Sequence, residues 1–489
     1  MSTALPSTRR PIGRNAVALY AAEMASSVLF AALTIVVARV LGAHNLGRLV
    51  FATSLAGIVQ VISDFGLTMY LVRTLAKDAR ARRELVPSIA TLRLAAAALG
   101  GAMAMAYAAS TVSDGTLLAA AAFAVGYVLL SVYSEFIFAL YRVEEMMLYE
   151  AAGRLARSIA YSMGGVALVA AGGGVVAVLA WSCLVALGIN LYAWRIGRRL
   201  RGFSVRPALR GAMLRRALLD ALPFGILAVL TTISFRIDAL MIQAIRGSTD
   251  VGLYGAAYRT MEALLILPGI LAIASLPVIA RSIEGDAPAV MRLVNTVIRL
   301  LWSLAFPLAV GLGLLGRSLL RDVFGARYGE AHVVLALLGV TLVPLFASAM
   351  TSVVIAAGRR PQINTLIAGA MVVLNVALNA ALIPRIGIDG AGVATLATES
   401  FGLLVGAVVI ARTHGRVAWH RFALKPLLAA GAMGGVIVLM HESLAAIPLY
   451  GAIYVGALLL LRGLTREDLA LLRGAVFSQS VEGELAGQA

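Results

Sequence analysis

A single cysteine, Cys183, stands in a chain of 489 residues, so neither a disulfide framework nor a cysteine metal cluster can be built. Charge is scarce as well: Asp, Glu, Lys and Arg together supply 13% of the positions, about half the share of a water-soluble domain. Acids are the scarcer sign, 24 against 41 Lys and Arg. There is no Walker A sequence, no His-rich metal spacing, and no Ser, His and Asp set outside apolar stretches, so the sequence leads us to expect no enzyme, no catalytic residue, no metal and no cofactor. Proline is missing from the depth of every apolar stretch in the first half. The second half has Pro223, Pro268, Pro277, Pro307 and Pro344, each of which removes a backbone donor and favours bending, although Pro223 and Pro277 also fit helix ends.

What fills the chain is hydrocarbon. Apolar residues make up 61% and the mean hydropathy is +0.92. They fall in about fourteen stretches, roughly 15–38, 49–70, 88–109, 117–140, 151–171, 175–194, 218–245, 251–280, 291–315, 332–356, 362–383, 390–411, 425–440 and 445–461. At 1.5 Å per residue, about 20 residues of helix match a hydrocarbon core of about 30 Å. The expected fold is therefore an all-α integral membrane protein. The first stretch is too long for a secretory signal and lacks a cleavage site, so it is read as a retained helix.

Arginine and lysine fix the orientation. Arg142, Arg154 and Arg157 belong on this reading to the connection after span four. On that count, 30 of the 41 bases lie on the N-terminal tail, every second connection and the C-terminal tail. The positive-inside rule then puts both termini in the cytoplasm of a bacterial inner membrane. The net charge of +17 is parcelled out beside the membrane rather than gathered on one soluble module. Anionic lipid headgroups explain it better than nucleic acid does.

Weak internal repeats set the architecture. Leu41-Gly42-Ala43-His44-Asn45-Leu46-Gly47 is echoed by Arg246-Gly247-Ser248-Thr249-Asp250-Val251-Gly252, 205 residues later. Arg93 has Arg299, Ala139-Leu140-Tyr141-Arg142 has Ala356-Ala357-Gly358-Arg359, and Gly173-Gly174-Val175 has Asp389-Gly390-Ala391, in the same order. A repeat of six helices re-enters the membrane in the same direction and relates two lobes by an axis along the membrane normal. The expected domains are an N-terminal lobe (1–194), a basic cytoplasmic linker (195–217) and a C-terminal lobe (218–411). Helices thirteen and fourteen (412–461) follow, and then a cytoplasmic tail (462–489) with a capped start at Thr465-Arg466-Glu467-Asp468 and a disordered end.

Charge at membrane depth gives the candidate site. Arg93, Arg236, Arg259 and Arg299, with Glu23, Asp64, Glu135, Asp238, Glu262 and Glu399, lie inside apolar spans. Each would cost about 2.5 to 3.5 kcal/mol facing lipid, so they are expected to line water or to meet one another. Arg259 and Glu262 share a helix face, which suggests an ion pair. Arg93 and Arg299 stand at matching depths in the two repeats. There they could clamp a diphosphate, whose oxygens suit guanidinium geometry, or snorkel to headgroups. Tyr254 and Tyr258, and Asn375 and Asn379, each share one helix face and could line the same cavity or bond between helices. Glu23, Asp238 and Glu399 are candidates for proton or ion coupling. Gly311-Leu312-Gly313-Leu314-Leu315-Gly316 fits a dinucleotide pattern, but no strand precedes it, and like Gly402 with Gly406 and Gly431 with Gly435 it reads as helix packing.

The blocks Ala38-Arg39-Val40-Leu41-Gly42, Asn45-Leu46-Gly47 and Asp64-Phe65-Gly66-Leu67 resemble the Wzx-like polysaccharide and oligosaccharide flippases of the multidrug, oligosaccharidyl-lipid and polysaccharide (MOP) exporter superfamily. So do Arg236-Ile237-Asp238-Ala239-Leu240-Met241-Ile242, Val251-Gly252-Leu253-Tyr254-Gly255-Ala256-Ala257-Tyr258, and Leu382-Ile383-Pro384-Arg385-Ile386-Gly387-Ile388-Asp389-Gly390-Ala391-Gly392-Val393-Ala394-Thr395. The resemblance implies two six-helix lobes of MATE type. It also implies movement of a polyprenyl-diphosphate-linked oligosaccharide from the cytoplasmic to the outer leaflet by alternating access, for surface or exopolysaccharide assembly. Membrane lipids and the polymerase and assembly proteins are then the expected partners. A drug or metabolite antiporter of the same superfamily would favour an acidic cavity, and a non-transporting scaffold would pair off all its charges.

Overall fold

The computed structural model describes residues 12–463 except 79–80, 202–207, 209–210, 266–267, 270–274, 276–278, 280–286 and 359. No strand occurs among them. The helices are α1 (Ile12–Asp64), α2 (Leu67–Lys77), α3 (Arg82–Thr111), α4 (Gly115–Val143), α5 (Met147–Ala170), α6 (Val175–Arg201), α7 (Gly211–Arg246) and α8 (Ser248–Glu262). They continue with α9 (Ala287–Phe324), α10 (His332–Ala357), α11 (Gln362–Ile386), α12 (Ile388–Thr413), α13 (Trp419–Leu439) and α14 (Ile447–Leu460). The tail's capped start at Thr465 and its polar end lie outside the described residues, as does Pro277.

Lipid cannot hydrogen-bond to backbone, so a spanning segment must satisfy its own N–H and C=O groups, and the helix does so. Among the described residues, ten segments are long and apolar enough to cross a membrane. The first, Ala21–Leu75, is 55 residues long. At 1.5 Å per residue it exceeds two crossings of about 30 Å, so it must break. It breaks at Gly42, where φ 78° and ψ 176° lie in a region that only glycine occupies readily. α5 is not among the ten, because its first half carries Glu150, Arg154 and Arg157.

One expectation needs correction. The stretch 49–70 is not one helix. Helix stops at Asp64, passes through Phe65 (φ 38°) and Gly66 (φ 72°), and restarts at Leu67. Gly66 lies against α7, where an added Cβ would come within 2.8 Å of the Gly225 nitrogen and 2.9 Å of the Phe224 Cβ. Within the stretch 195–217, α6 runs on to Arg201 and α7 begins at Gly211.

The described chain divides into two compact units. One comprises residues 1–41 and 51–232; the other comprises 42–50 and 233–489. In the first, a core around Leu71, Leu85, Ile89, Phe136, Phe138 and Tyr141 joins α2, α3, α4 and α6 to the start of α7, with Ala217 and Ala221 fully buried. In the second, α13 and α14 pack through Met433, Ile437, Tyr450 and Tyr454 onto Leu315 of α9. Gly402 and Gly406 of α12 sit against Met371 and Thr351, the helix packing their spacing suggested.

One contact in the second unit reflects the repeat. A Cβ on Gly47 would fall 1.6 Å from the Ser248 oxygen, and one on Gly252 would fall 1.9 Å from the Ala43 oxygen. Ala43 and Ser248 are 205 residues apart, as are Gly47 and Gly252, so the contact is reciprocal. Gly247, with φ 90° and ψ 179°, repeats the conformation of Gly42.

Candidate functional site

Within the first unit, α5 presents Glu150, Arg154 and Arg157 on one face, because spacings of four and three return to the same side of a helix. Arg142 at the end of α4 grips Glu150 with two donors, Nε to Oε2 at 2.8 Å and Nη2 to Oε1 at 2.5 Å. Arg154 bridges the two acids, with Nε donating to Glu150 Oε1 and Nη2 to Glu135 Oε2, both at 2.9 Å. Arg157 Nη1 completes the chain on Glu135 Oε1 at 2.5 Å. Three guanidinium groups face two carboxylates, a net charge of +1, and Glu150 has no exposed surface at all. This network borders a cavity of about 470 Å³ walled by α1, α4, α5 and α6. Its lining includes Glu23, Gln60, Tyr127, Glu135, Arg154, Arg157 and Tyr161.

Glu23 thus lies on the wall of this cavity. Arg93 does not line this cavity. It is 1% exposed and donates from Nη1 to Thr68 Oγ1 at 2.9 Å, 3.3 Å from Asp64 Oδ1, with Thr68 bonded to Asp64 in turn. Its guanidinium lies 5.9 Å from the Phe136 ring. Such burial rules out snorkelling. The group ties α3 to the break between α1 and α2.

Asp238 is the centre of the second unit's polar interior, 1% exposed. Tyr254 Oη donates to Oδ2 at 2.7 Å, Thr395 Oγ1 to Oδ2 at 3.0 Å, and Asn379 Nδ2 to Oδ1 at 2.6 Å. Asn379 Nδ2 also reaches Asn375 Oδ1 at 2.9 Å, while the buried Asn379 Oδ1 has no partner among the described residues. Asn379 thus bonds across to α7, and Asn375 bonds to Asn379 along α11. Tyr258 is 7% exposed and stacks on Tyr254 at 5.8 Å between centroids. Glu399 on α12 is 8% exposed and makes no ion pair among the described residues.

The Arg259 and Glu262 pair expected from their spacing forms, at 2.5 Å, and Arg236 Nη2 joins the same carboxylate at 3.4 Å. Two cations therefore share one acid, and all three side chains keep 17% to 29% exposure. Arg299 of α9 is half-buried above the Phe422 ring, 5.8 Å from its centroid.

Arg142, Arg154, Arg157 and Glu150 were missed as site residues in the sequence. By charge alone they read as part of a basic connection, although Arg154 and Arg157 fall inside the span expected over 151–171. The helical spacing Glu150, Arg154, Arg157, with Glu135 one span earlier, was the available signal.

A family model described as polysaccharide biosynthesis protein matches residues 12–283, more than half of the chain. The chain belongs to that family. Its resemblance to the flippases of the MOP superfamily therefore holds. No curated protein matches the sequence. Among solved structures, this family member resembles lipid II flippase MurJ in an inward closed conformation, with a TM-score of 0.74 and 14% identity over 93% of this chain and 100% of that one. It also resembles an inward-facing multidrug resistance MATE family transporter of the MOP superfamily, with a TM-score of 0.66 and 16% identity over 78% and 93%. A MOP superfamily transporter from Pyrococcus furiosus gives a TM-score of 0.53 and 16% identity over 82% and 95%. At these identities the likeness establishes the fold, an all-helical multi-pass membrane architecture of MurJ and MATE type.

Proposed function

We propose that this member of the polysaccharide biosynthesis family is a flippase rather than an enzyme. It moves a polyprenyl-diphosphate-linked oligosaccharide from the cytoplasmic to the outer leaflet of a bacterial inner membrane, with both termini cytoplasmic. The observation that carries the reading is a cavity lined by charged and hydroxyl side chains between helices of a multi-pass membrane chain of this family. A headgroup of sugars and phosphates pays heavily to cross hydrocarbon bare, whereas its lipid tail does not. A bilobed bundle of two matching six-helix halves, rocking so that a site faces each side in turn, would shield the polar part alone. The partners are then the glycolipid, the surrounding lipids, and the polymerase and assembly proteins that take the product.

Deleting the gene and measuring lipid-linked oligosaccharide in each leaflet tests the reading. Accumulation on the cytoplasmic side is expected, and an unchanged distribution would refute it. The rival is an antiporter of drugs or metabolic cations, favoured by Glu23, which lines the cavity and makes no ion pair among the described residues. Loss of resistance to cationic compounds, with the glycolipid distribution unaltered, would establish that rival in its place.

Asp238 is the proposed coupling site. It is a buried carboxylate whose two oxygens accept from Tyr254, Thr395 and Asn379, a group that could exchange a proton within the bundle. Asp238→Asn keeps the shape and removes the charge. In reconstituted vesicles it should leave folding intact and abolish the response of transport to an imposed ion or proton gradient. Glu23→Gln and Glu399→Gln measured alongside locate the coupling group. Unchanged gradient response in all three would end the idea of coupling through these acids.

A further inference from the structure

The cavity of the first unit has a chemistry more specific than polarity. Its charged lining is Glu23, Glu135, Arg154 and Arg157, two of each sign. A diphosphate held there would face two carboxylates, and an organic cation would face two guanidinium groups, so neither finds a complementary field. What the walls offer is a mixture of donors and acceptors around aromatic faces. Phe30 and Tyr161 stack at 6.2 Å with 20° between their planes, both line the cavity, and Tyr127 lines it as well. The Gln60 amide both donates and accepts, hydroxyls come from both α1 and α5, and Arg157 keeps N–H groups beyond the one spent on Glu135. Ser162 lines the same cavity at 4% exposure, and its Oγ is buried with no hydrogen-bond partner among the described residues.

Sugar rings meet all of these requirements. A pyranose presents hydroxyls that both donate and accept, and its C–H face bears the partial positive charge that an aromatic face attracts. A volume of about 470 Å³ lies within the range of small-ligand sites, about 300 to 1,000 Å³. We propose that this cavity is a saccharide subsite that holds an uncharged sugar ring of the transported headgroup, stacked on Phe30 and Tyr161 and hydrogen-bonded by Gln60, Arg157 and Glu23. The assignment rests on the flippase reading for its source of sugar and separates the site that reads the glycan from any site that holds the diphosphate. Glu135 is then a positioning residue, which holds Arg154 and Arg157 in place and with Glu23 balances their charge.

The test is calorimetry on the full-length protein in detergent micelles. The probes are the methyl glycosides of glucose, galactose, mannose and N-acetylglucosamine, the oligosaccharide released from the producing organism's own surface polysaccharide, sodium diphosphate, and tetraphenylphosphonium. At least one saccharide should bind saturably, with affinity reduced tenfold or more by Tyr161→Ala and by Gln60→Ala. Tyr161→Phe, which keeps the ring, should retain most of the binding and guards against loss through misfolding. Failure of every saccharide to saturate the unmodified protein would overturn the proposal. So would saccharide binding indifferent to both alanine substitutions, or competition at the site by diphosphate. Tetraphenylphosphonium binding abolished by Glu23→Gln would overturn it in favour of a cation pocket. Binding of free glycosides is read without transport, so its failure leaves the leaflet assay standing, and a negative leaflet assay leaves a measured saccharide site in place.

Discussion

Glu150 accepts from two guanidinium groups with no surface of its own exposed, so its removal strands charge inside the bundle. Breaking one partner out of a buried pair costs about 3 to 5 kcal/mol. Glu150→Ala should lower the midpoint of thermal unfolding in detergent accordingly, and adding Arg142→Leu should recover part of the loss, because one stranded cation is then gone. A lysine at 142 would not substitute, since a bidentate grip needs a planar fork. At this scale the sequence was uneven. Asp238, Asn379 and Tyr254 were legible as interior polar groups because each interrupts a long apolar run, and the Arg259 and Glu262 pair followed from helical spacing. Arg154 and Arg157 were not, because a tally of bases by connection assigns to the headgroup region any arginine near a span end. Their true position depends on where α5 begins relative to the bilayer, which hydropathy locates only to within about a turn.

Among the elements, the pairing of the segment after Gly42 with the start of α8 has the tightest tolerance. Gly47→Ala would put a methyl 1.6 Å from a carbonyl oxygen that belongs to backbone and cannot swing aside. The two segments must separate, at a cost at or above the usual 1 to 3 kcal/mol or so of overpacking. Gly252→Ala should cost a comparable amount. The double variant should cost less than the sum, since one separation admits both methyls. Gly42→Ala is the control: no atom lies within 4 Å, so its cost is that of the backbone conformation alone, about 1 to 3 kcal/mol. Thermal unfolding of the four proteins measures all of these. The echo between the two glycine turns was visible in the sequence, and the structure gives it meaning as a reciprocal contact. The break at Phe65 and Gly66 was not visible. An apolar run reads as continuous helix, and a phenylalanine at φ 38° is held there against its own preference by the packing of α7 on Gly66.

For the whole molecule, the distribution of arginine predicts a topology that labelling can check. In a Cys183→Ser background, Ser113→Cys on the connection between α3 and α4 should react with a membrane-impermeant maleimide added to intact cells. Glu145→Cys between α4 and α5 should react only after the membrane is opened, and the reverse pattern would invert the orientation. A second test concerns the two units. Residues 42–50 pack with the second unit although they lie in the first fifty of the chain, and 211–232 pack with the first. Expressed as two separate pieces, 1–205 and 206–489, the protein should therefore copurify on a tag carried by either one.

The same interleaving sets an order of events during synthesis. Ala43 and Gly47 leave the ribosome 205 residues before Ser248 and Gly252 of α8, against which they pack. The nascent chain must keep that short stretch available, in the translocon or against lipid, until its counterpart arrives. The second unit can close only late, and a stall in translation before residue 248 would leave the Gly47 turn without its mate.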